Sequence, residues 1–374
     1  MGGGAIGLSL AWRLRQRGAT VAVLERGPFL FDMDADPPRG QASWAAAGIL
    51  APLTGSGERT PLLELGLASL RLYPTFLEAV ADASGVNLEI QGPGMLRIAK
   101  TIEQEQSLLQ CFEAQRDREL PLEWLDAGAT LQREPALEGS VRGALFSPLE
   151  RHVAPRALLC GLARAARAAG VHLLGHCPAE EFERHGDRAL AVVTPAGAVA
   201  GGEFVLAGGA WTGEIARWLG MSLPVRPVRG QILALRCALL LSHTIMAAGG
   251  YLVPRADGKL IIGATEEVAG FYSAPTTDGV RRLLDFATTM APSLAHAPFD
   301  SAWGGLRPGT DDGLPILGAA PDWKNVHIAA GHFKQGVLLT PITTRLMADW
   351  ILERRTDTLL DPFAAGRFCY SAPG

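Results

Sequence analysis

The chain has 374 residues, of which 48% are hydrophobic and 19% are charged, and its formal net charge is −4. These proportions are typical of a globular protein with a large core, and they exclude a disordered chain. The small negative charge gives no general attraction for nucleic acid or for an anionic membrane. The longest stretch without charge, residues 237–254, is interrupted by polar residues and by glycine, so we expect no membrane-spanning segment.

The cysteines are scattered and form no C-x-x-C pair; they are Cys111, Cys160, Cys177, Cys237 and Cys369. This spacing favours free thiols in a reducing cytoplasm over a disulfide framework or a metal site. We therefore expect a cytoplasmic protein without a bound metal.

The first residues carry a nucleotide-binding pattern. Gly2, Gly4 and Gly7 form a G-x-G-x-x-G motif, which a helix-like run and an apolar strand ending at Glu25 follow. The glycines permit a tight turn and close approach of a pyrophosphate, and the start of the helix offers free N–H groups to it. An acid at the end of the second strand can accept hydrogen bonds from a ribose. The pattern predicts a bound dinucleotide.

The position of this motif in the chain departs from the usual arrangement. The glycines normally follow a strand at the centre of the sheet, whereas here they come directly after Met1. We expect that this first strand, of roughly 5–10 residues, is missing upstream of Met1.

The next informative stretch is SWAAAGILAP, residues 43–52, in which three alanines and a glycine carry almost no side chain. A cofactor could lie flat against such a backbone. A loop that enters a tightly packed helix is an equally good interpretation.

Further along, hydrophobic spacing predicts helices at residues 62–80, 103–118, 154–169, 278–290 and 337–353. Short strands alternate with turns over residues 171–207, and longer strands begin at residue 225. The expected fold is α/β (mixed α+β), with a Rossmann-like nucleotide-binding domain interleaved with an antiparallel-sheet substrate domain. We assign residues 1–80, 148–222 and 312–374 to the first domain and residues 81–147 and 223–311 to the second.

Nine blocks stand in family order over nearly the whole chain: GGGAIGLS, SWAAAGILAP, RHVAPRAL, VLAGGAWTG, RPVRGQI, GYLVPR, LIIGATEE, GGLRPGTDDGLPILG and AAGHFKQGVLLTP. On these blocks the chain resembles the D-amino-acid-oxidase-like FAD-dependent oxidoreductases, and within them the glycine oxidases of thiamine biosynthesis. Sarcosine oxidases and D-amino-acid dehydrogenases share the outline and remain alternatives. A flavin-binding protein without activity is the alternative from another class.

The resemblance implies FAD as a non-covalent cofactor, since no cysteine stands between Cys237 and Cys369 where a covalent link would form. The helix that opens at Gly336 could stabilise negative charge on the reduced flavin. The implied cofactor-binding residues are Gly2, Gly4, Ala5, Ile6, Gly7, Glu25, Arg26, Ala42, Ser43, Ala47, Gly48, Ile49, Ala179, His332, Phe333, Lys334, Gln335, Gly336, Val337 and Leu338.

For the substrate, the resemblance points to Arg307 and Tyr251 as catalytic residues that bind a carboxylate. An arginine offers two parallel N–H donors, which fit a carboxylate bidentately. Lys334 stands where glycine oxidases carry an arginine, and we expect it to contact the substrate at the mouth of the pocket. An acid at Glu266 or Glu267 could favour the substrate ammonium, although a solvated surface acid is the simpler interpretation.

The implied reaction is oxidative deamination of glycine, other small amines or D-amino acids. Hydride passes from Cα to flavin N5, and the products are an imine or 2-oxo acid, ammonia and hydrogen peroxide. The expected partners are a small amino acid and molecular oxygen, with neither nucleic acid nor a membrane; a homo-oligomer stays open.

Overall fold

The computed structural model describes residues 1–32, 40–53, 59–115, 121–237 and 240–368. The predicted mixed α/β class is confirmed. The α-helices are α1 (Ala5–Gln16), α2 (Ala42–Ala45), α3 (Pro61–Ser84), α4 (Ile102–Gln115), α5 (Ala127–Arg133), α6 (Pro155–Ala168), α7 (Thr212–Arg217), α8 (Thr277–Met290) and α9 (Gly336–Glu353).

The sheets of the fold are formed by strands of two to eleven residues. In chain order they are β1 (Ala22–Leu24), β2 (Gly40–Gln41), β3 (Ile49–Leu50), β4 (Met95–Ala99), β5 (Glu123–Asp126), β6 (Gly143–Ser147), β7 (Arg151–His152), β8 (His172–Leu174), β9 (Glu181–His185), β10 (Arg188–Thr194), β11 (Gly197–Ala200), β12 (Phe204–Leu206), β13 (Arg226–Arg236), β14 (Thr244–Ala247), β15 (Gly250–Pro254), β16 (Lys259–Gly263), β17 (Phe299–Gly309), β18 (Ile316–Ala319) and β19 (Val326–Ala330).

Two groups of parallel strands flank the N-terminal glycines. Strand β1 pairs in parallel with β8, and β12 pairs in parallel with β19. The terminal amine of Met1 donates to the carbonyl of Val205 at 2.8 Å, and the amide of Gly2 donates to the carbonyl of Leu24 at 2.9 Å. Met1 and Gly2 therefore lie between the two groups, in the middle of this layer.

Four helices cover the parallel strands. Helices α1, α3, α6 and α9 bury a common apolar core that includes Trp12, Leu77, Leu162 and Leu338. Helix α6 begins with Pro155 at its first turn, where a proline loses no hydrogen bond, and ends before Gly170. Gly170 has φ +87°, a left-handed value that glycine adopts without a steric penalty.

The larger sheet has nine strands in the order β2-β17-β13-β16-β15-β14-β4-β6-β5. Its pairs are antiparallel except β17–β2 and β14–β4, which are parallel. Helix α8 packs Leu283 and Met290 against the sheet residues Leu233 and Ile262. The predicted second sheet is thus present, and β2 adds residues from near the N-terminus to its edge.

The predicted helix boundaries differ from the structure by a few residues. The polar helix expected at residues 103–118 is α4, Ile102–Gln115, and its predicted end lies outside the described residues. Among the described helices, none has the length and apolarity needed to cross a bilayer.

Candidate cofactor and substrate site

A cavity of about 1440 Å³ lies between the glycine-rich loop and the larger sheet. This volume exceeds the roughly 300–1,000 Å³ that is usual for the site of a drug-sized ligand. Residues from both ends of the chain line it, from Met1 to Ile6 and from Ala329 to Val337. The cavity is therefore large enough for a ligand of dinucleotide size together with a small substrate.

Glu25 organises the glycine-rich end. One of its carboxylate oxygens accepts the amide of Gly3 at 2.6 Å, and the other accepts the amide of Gly27 at 2.9 Å. An ionised carboxylate has about four acceptor sites, so these two bonds leave capacity for the hydroxyls of a ribose. Glu25 thus fixes the loop and also lines the cavity.

Helix α1 directs its N-terminus at the same end. Its N-cap residue, Gly4, provides no side-chain cap, and the amide of Ala5 donates to the hydroxyl oxygen of Ser43 at 3.1 Å. The hydroxyl hydrogen of Ser43 can still be donated to a phosphate. Gln41 also lines the cavity, and its buried Oε1 atom accepts no hydrogen bond from the described residues.

A stack of aromatic and cationic groups borders this end of the cavity. The guanidinium of Arg26 lies 3.5 Å from the ring centroid of Trp211, and the Trp211 ring stacks on Phe271 at 5.3 Å. Burial lowers the pKa of Arg26, and the charges of Glu25 and Glu214 oppose that shift. No sequence pattern indicated a role for Trp211.

Helix α9 directs a second uncapped N-terminus at the cavity. Its N-cap residue, Gln335, makes no side-chain cap, and residues 332–337 all line the cavity. The imidazole of His332 instead points into the core, where Nε2 lies 3.1 Å from the hydroxyl of Thr343. Burial lowers the pKa of His332 to about 3. The imidazole of His332 is therefore a neutral group of the core.

The first turn of α9 is held from behind by α3. Pro341 has no N–H group, so the carbonyl of Val337 lacks its usual helical partner. The hydroxyl of Tyr73 donates to that carbonyl at 2.6 Å, and the hydroxyl of Ser69 donates to the carbonyl of Leu338 at 2.6 Å. Both tyrosine and serine are fully buried. The helix start is therefore rigidly placed despite its proline.

Arg307 and Tyr251 come together in the same cavity. The Nη1 atom of Arg307 donates to the carbonyl of Thr265 at 3.0 Å. Burial raises the pKa of Tyr251, and the charge of Arg307 together with a hydrogen bond from it opposes that shift. Because the Tyr251 oxygen accepts from Arg307, its O–H group and the remaining guanidinium N–H groups are left to donate to a ligand, which suits a carboxylate.

Two glycines make room for these side chains. A Cβ atom at Gly230 would collide with the guanidinium of Arg307, and a Cβ atom at Gly263 would collide with the hydroxyl of Tyr251. Gly263 is the register partner of Tyr251, and Gly230 pairs with Gly305, two residues from Arg307. The placement of both side chains therefore depends on the register of the larger sheet.

Lys334 lies at the rim of the cavity in an ion pair. Its amine is 2.6 Å from a carboxylate oxygen of Glu266, and both side chains are about half exposed, at 55% and 51%. Glu267 does not reach the site: it bonds to Arg229, Gln231 and Arg282. Of the two acids singled out in the sequence, Glu266 lines the cavity.

A buried ion pair that no sequence pattern indicated borders the cavity near Leu53. Arg97 pairs with Glu150, and it also donates to the carbonyl of Leu53 at 2.7 Å. The amide of Leu53 donates to Glu150 at 2.9 Å. Burial is the largest single effect and would lower the pKa of Arg97, but the charge of Glu150 and the hydrogen bond to it together raise that pKa.

Two of the implied site residues do not line the cavity. Gly7 packs against the backbone of Gly2, where a Cβ atom would collide with the Gly2 carbonyl. The side chain of Leu338 lies in the core, 1% exposed. The remaining implied residues do line it: Gly2, Gly4, Ala5, Ile6, Glu25, Arg26, Ala42, Ser43, Ala47, Gly48, Ile49, Ala179, Tyr251, Arg307, His332, Phe333, Lys334, Gln335, Gly336 and Val337.

A cavity that joins a glycine-rich helix start to a partly buried arginine and tyrosine is typical of a dinucleotide-dependent oxidoreductase. The family model described as DAO, FAD dependent oxidoreductase, matches residues 1–350. The chain belongs to this family. The predicted resemblance, the predicted FAD cofactor and the prediction of an FAD-dependent enzyme are thereby confirmed.

Individual relatives agree with the family assignment. The chain is 33% identical to a glycine oxidase of Geobacillus kaustophilus over 98% of this chain and 96% of the relative. It is 35% identical to the bifunctional protein ThiO/ThiG of Trichormus variabilis, over 98% of this chain and 54% of that protein. The crystal structure of the Geobacillus kaustophilus glycine oxidase superposes with a TM-score of 0.92 at 32% identity, covering 99% of this chain and 98% of the other.

The residues present fit FAD. Two helix N-termini without side-chain caps face one cavity, as the pyrophosphate and the reduced flavin require. The unsatisfied Oε1 atom of Gln41 provides a buried acceptor for a ligand N–H or O–H group. The glycine loop leaves its backbone open to close approach.

Proposed function

We propose that the protein catalyses oxidative deamination of glycine and other small amino acids, with water and oxygen consumed. For glycine, one molecule each of glycine, water and oxygen would give glyoxylate, ammonia and hydrogen peroxide. The observation that carries the proposal is the convergence of Arg307 and Tyr251 on a cavity whose other end has the dinucleotide motif. The glycine oxidases among the relatives support this choice of substrate.

Arg307 would bind the substrate carboxylate with two parallel N–H donors, and the Tyr251 hydroxyl would donate a third hydrogen bond. These contacts orient the amino acid, and the wall of the larger sheet excludes water from it. FAD, when bound non-covalently, would supply the hydride acceptor and pass the electrons to oxygen.

The uncapped N-terminus of α9 would stabilise the negative charge that reduction brings to this part of the cavity. Proton loss from the substrate ammonium would leave the amine neutral before oxidation. The ammonium proton can leave through the mouth, where Glu266 and Lys334 meet solvent.

The ThiO/ThiG relatives support a role in thiamine biosynthesis. In that setting the enzyme would deliver the imine of glyoxylate, or glyoxylate itself, to formation of the thiazole ring.

Purified protein assayed for hydrogen peroxide with glycine, sarcosine and D-alanine tests the proposal. We expect peroxide with glycine and a stoichiometric yield of ammonia. Anaerobic mixing with glycine should bleach the flavin absorbance at about 450 nm, because nearly all of the flavin becomes reduced. Bleaching without peroxide in air would indicate a dehydrogenase with another acceptor, and no bleaching with any amino acid would overturn the proposal.

A further inference from the structure

The backbone of residues 45–48 is held from behind by side chains of the larger sheet. The indole Nε1 of Trp303 donates to the carbonyl of Ala45 at 3.0 Å. The guanidinium of Arg255 donates to the carbonyl of Ala47, and also to the carbonyl of Val153 at 2.6 Å. These bonds tie the small-residue stretch to β17 and to the residue that directly follows β15, both distant in sequence.

Arg255 is an unusual residue for this purpose. It is partly buried behind the cavity and does not line it. No carboxylate of the described residues lies within ion-pair distance of it, and burial lowers its pKa to about 10 against the opposing charge of Asp257. A guanidinium in this setting serves a purpose other than an ion pair. The planar fork of N–H donors in arginine is suited to bonding two carbonyls at once.

The direction of the Ala47 carbonyl fixes the direction of the next amide. In a planar trans peptide the C=O group and the N–H group of the following residue point to opposite sides. Since Arg255 holds the Ala47 carbonyl on the side away from the cavity, the N–H group of Gly48 points the other way. Ala47, Gly48 and Ile49 line the cavity, so this N–H group is presented to it.

Gly48 itself is fixed in this orientation. Its φ is +77°, and a Cβ atom there would collide with the carbonyl of Val153, to which Arg255 also donates. The amide of Val153 donates back to the carbonyl of Gly48 at 2.9 Å. The Arg255 guanidinium therefore stabilises both the turn at Gly48 and the peptide between Ala47 and Gly48.

We infer that Arg255 is a positioning residue that presents the Gly48 amide to the isoalloxazine ring and thereby tunes its reduction potential. The inference rests on the proposed placement of that ring against residues 47–49. An N–H donor with a cation behind it favours the more electron-rich, reduced form of the ring. Removing the guanidinium should therefore favour the oxidised form.

The test is the midpoint potential of bound FAD in the holoenzyme, measured by dye-coupled reduction without any amino acid. We expect Arg255→Met to lower the midpoint potential by about 30 mV. For a two-electron couple this corresponds to about a tenfold loss of affinity for reduced relative to oxidised FAD. The flavin absorption bands should shift as well. Arg255→Lys should restore part of the potential, because an amine keeps the charge but not the fork.

Arg15→Met is the matched control, because Arg15 also bonds two backbone carbonyls, of Ala169 and Ala19, and does not line the cavity. It should leave the potential and the spectrum unchanged. If Arg255→Met does not fold, the midpoint potential is measured for Arg255→Lys and Trp303→Phe instead. We expect it to be lower than that of the wild type in both. A wild-type potential and spectrum in the folded Arg255 variants would overturn the inference. Since no substrate is used, this result is independent of whether glycine is oxidised.

Discussion

The ammonium group of Lys334 lies 2.6 Å from the carboxylate of Glu266 at the mouth of the cavity. The sequence predicted a substrate contact for Lys334, whereas in the structure Lys334 forms an ion pair with an acid in the loop after β16. The pair joins the loop before α9 to the larger sheet. It also leaves the mouth nearly neutral as long as both groups are ionised.

Replacing Lys334 should therefore affect substrate binding through Glu266. In Lys334→Met the unpaired carboxylate would repel the substrate carboxylate, and we expect the KM for glycine to rise by up to about fivefold, since half-exposed pairs contribute ~1 kcal/mol or less. Glu266→Gln should leave KM unchanged or lower it, and Lys334→Arg should be tolerated. Raising the salt concentration should shrink the effect of Lys334→Met. Equal KM values for wild type and Lys334→Met would remove this residue from the site.

Arg307→Ala tests the carboxylate site directly. Removing a charged, hydrogen-bonded partner from a largely enclosed site should cost about 2–5 kcal/mol, or roughly 30-fold to several-thousand-fold in kcat/KM. The flavin content and absorbance spectrum should stay at the wild-type level, because the cofactor-binding segments lie elsewhere in the cavity. Near-normal kcat/KM in Arg307→Ala would show that the substrate binds in another orientation.

Gly230→Ala tests the same site without removing any hydrogen-bonding side chain. The added methyl would stand where the Arg307 guanidinium now lies, so the arginine must move. We expect kcat/KM to fall at least tenfold, since a misplacement of about 1 Å can reduce the rate a hundredfold. Gly139→Ala is the matched control, because a methyl there meets open space. Normal kinetics in both variants would contradict the dependence of Arg307 on this gap.

Tyr73→Phe tests how α9 tolerates Pro341. The carbonyl of Val337 would lose its donor inside the core, and a buried unsatisfied group costs about 1–3 kcal/mol. Denaturant unfolding at saturating FAD should show this loss. The exposed Tyr272→Phe should be close to neutral. Wild-type stability in Tyr73→Phe would mean that the carbonyl finds another donor.

The pH dependence of stability should reflect buried histidines, with the largest contributions from His332 and His152 and a further one from His327, whose pKa burial also lowers. Burial lowers the pKa of His332 to about 3, and burial together with the Arg255 charge lowers that of His152 to about 3. In the unfolded chain each titrates near 6.5. Between these values the unfolded state binds protons that the native state does not, so the unfolding free energy falls as the pH drops below about 6.5, by up to about 1.4 kcal/mol per unit for each histidine.

Unfolding measured from pH 7.5 to pH 4.5 checks this slope. His332→Asn should flatten it, and replacement of the exposed His172 should not. An unchanged slope in His332→Asn would contradict the assignment.

Local patterns predicted many of the residues that line the cavity. The glycine motif, Glu25 and the helix start at Gly336 could be identified because each depends on a few neighbouring residues. The roles of side chains that meet across the fold could not be identified. Arg97 of β4 meets Glu150 of the loop after β6, and Lys334 of the loop before α9 meets Glu266 of the loop after β16, so both pairs form only in the tertiary structure. The hydrogen bonds that Glu25 accepts from the amides of Gly3 and Gly27 could not be predicted either, since a sequence pattern does not specify the path of the backbone.

The cavity is assembled from the first residues of the chain and from residues 329–337. Helices α1 and α9 also share a hydrogen bond between Ser9 and Thr344, at 3.2 Å. During synthesis at about 5–20 residues per second, the glycine loop would leave the ribosome roughly 20–70 s before Gly336. Complete capture of the cofactor therefore waits until α9 has been synthesised. Until then the nascent chain must keep its glycine loop and its incomplete core from aggregating.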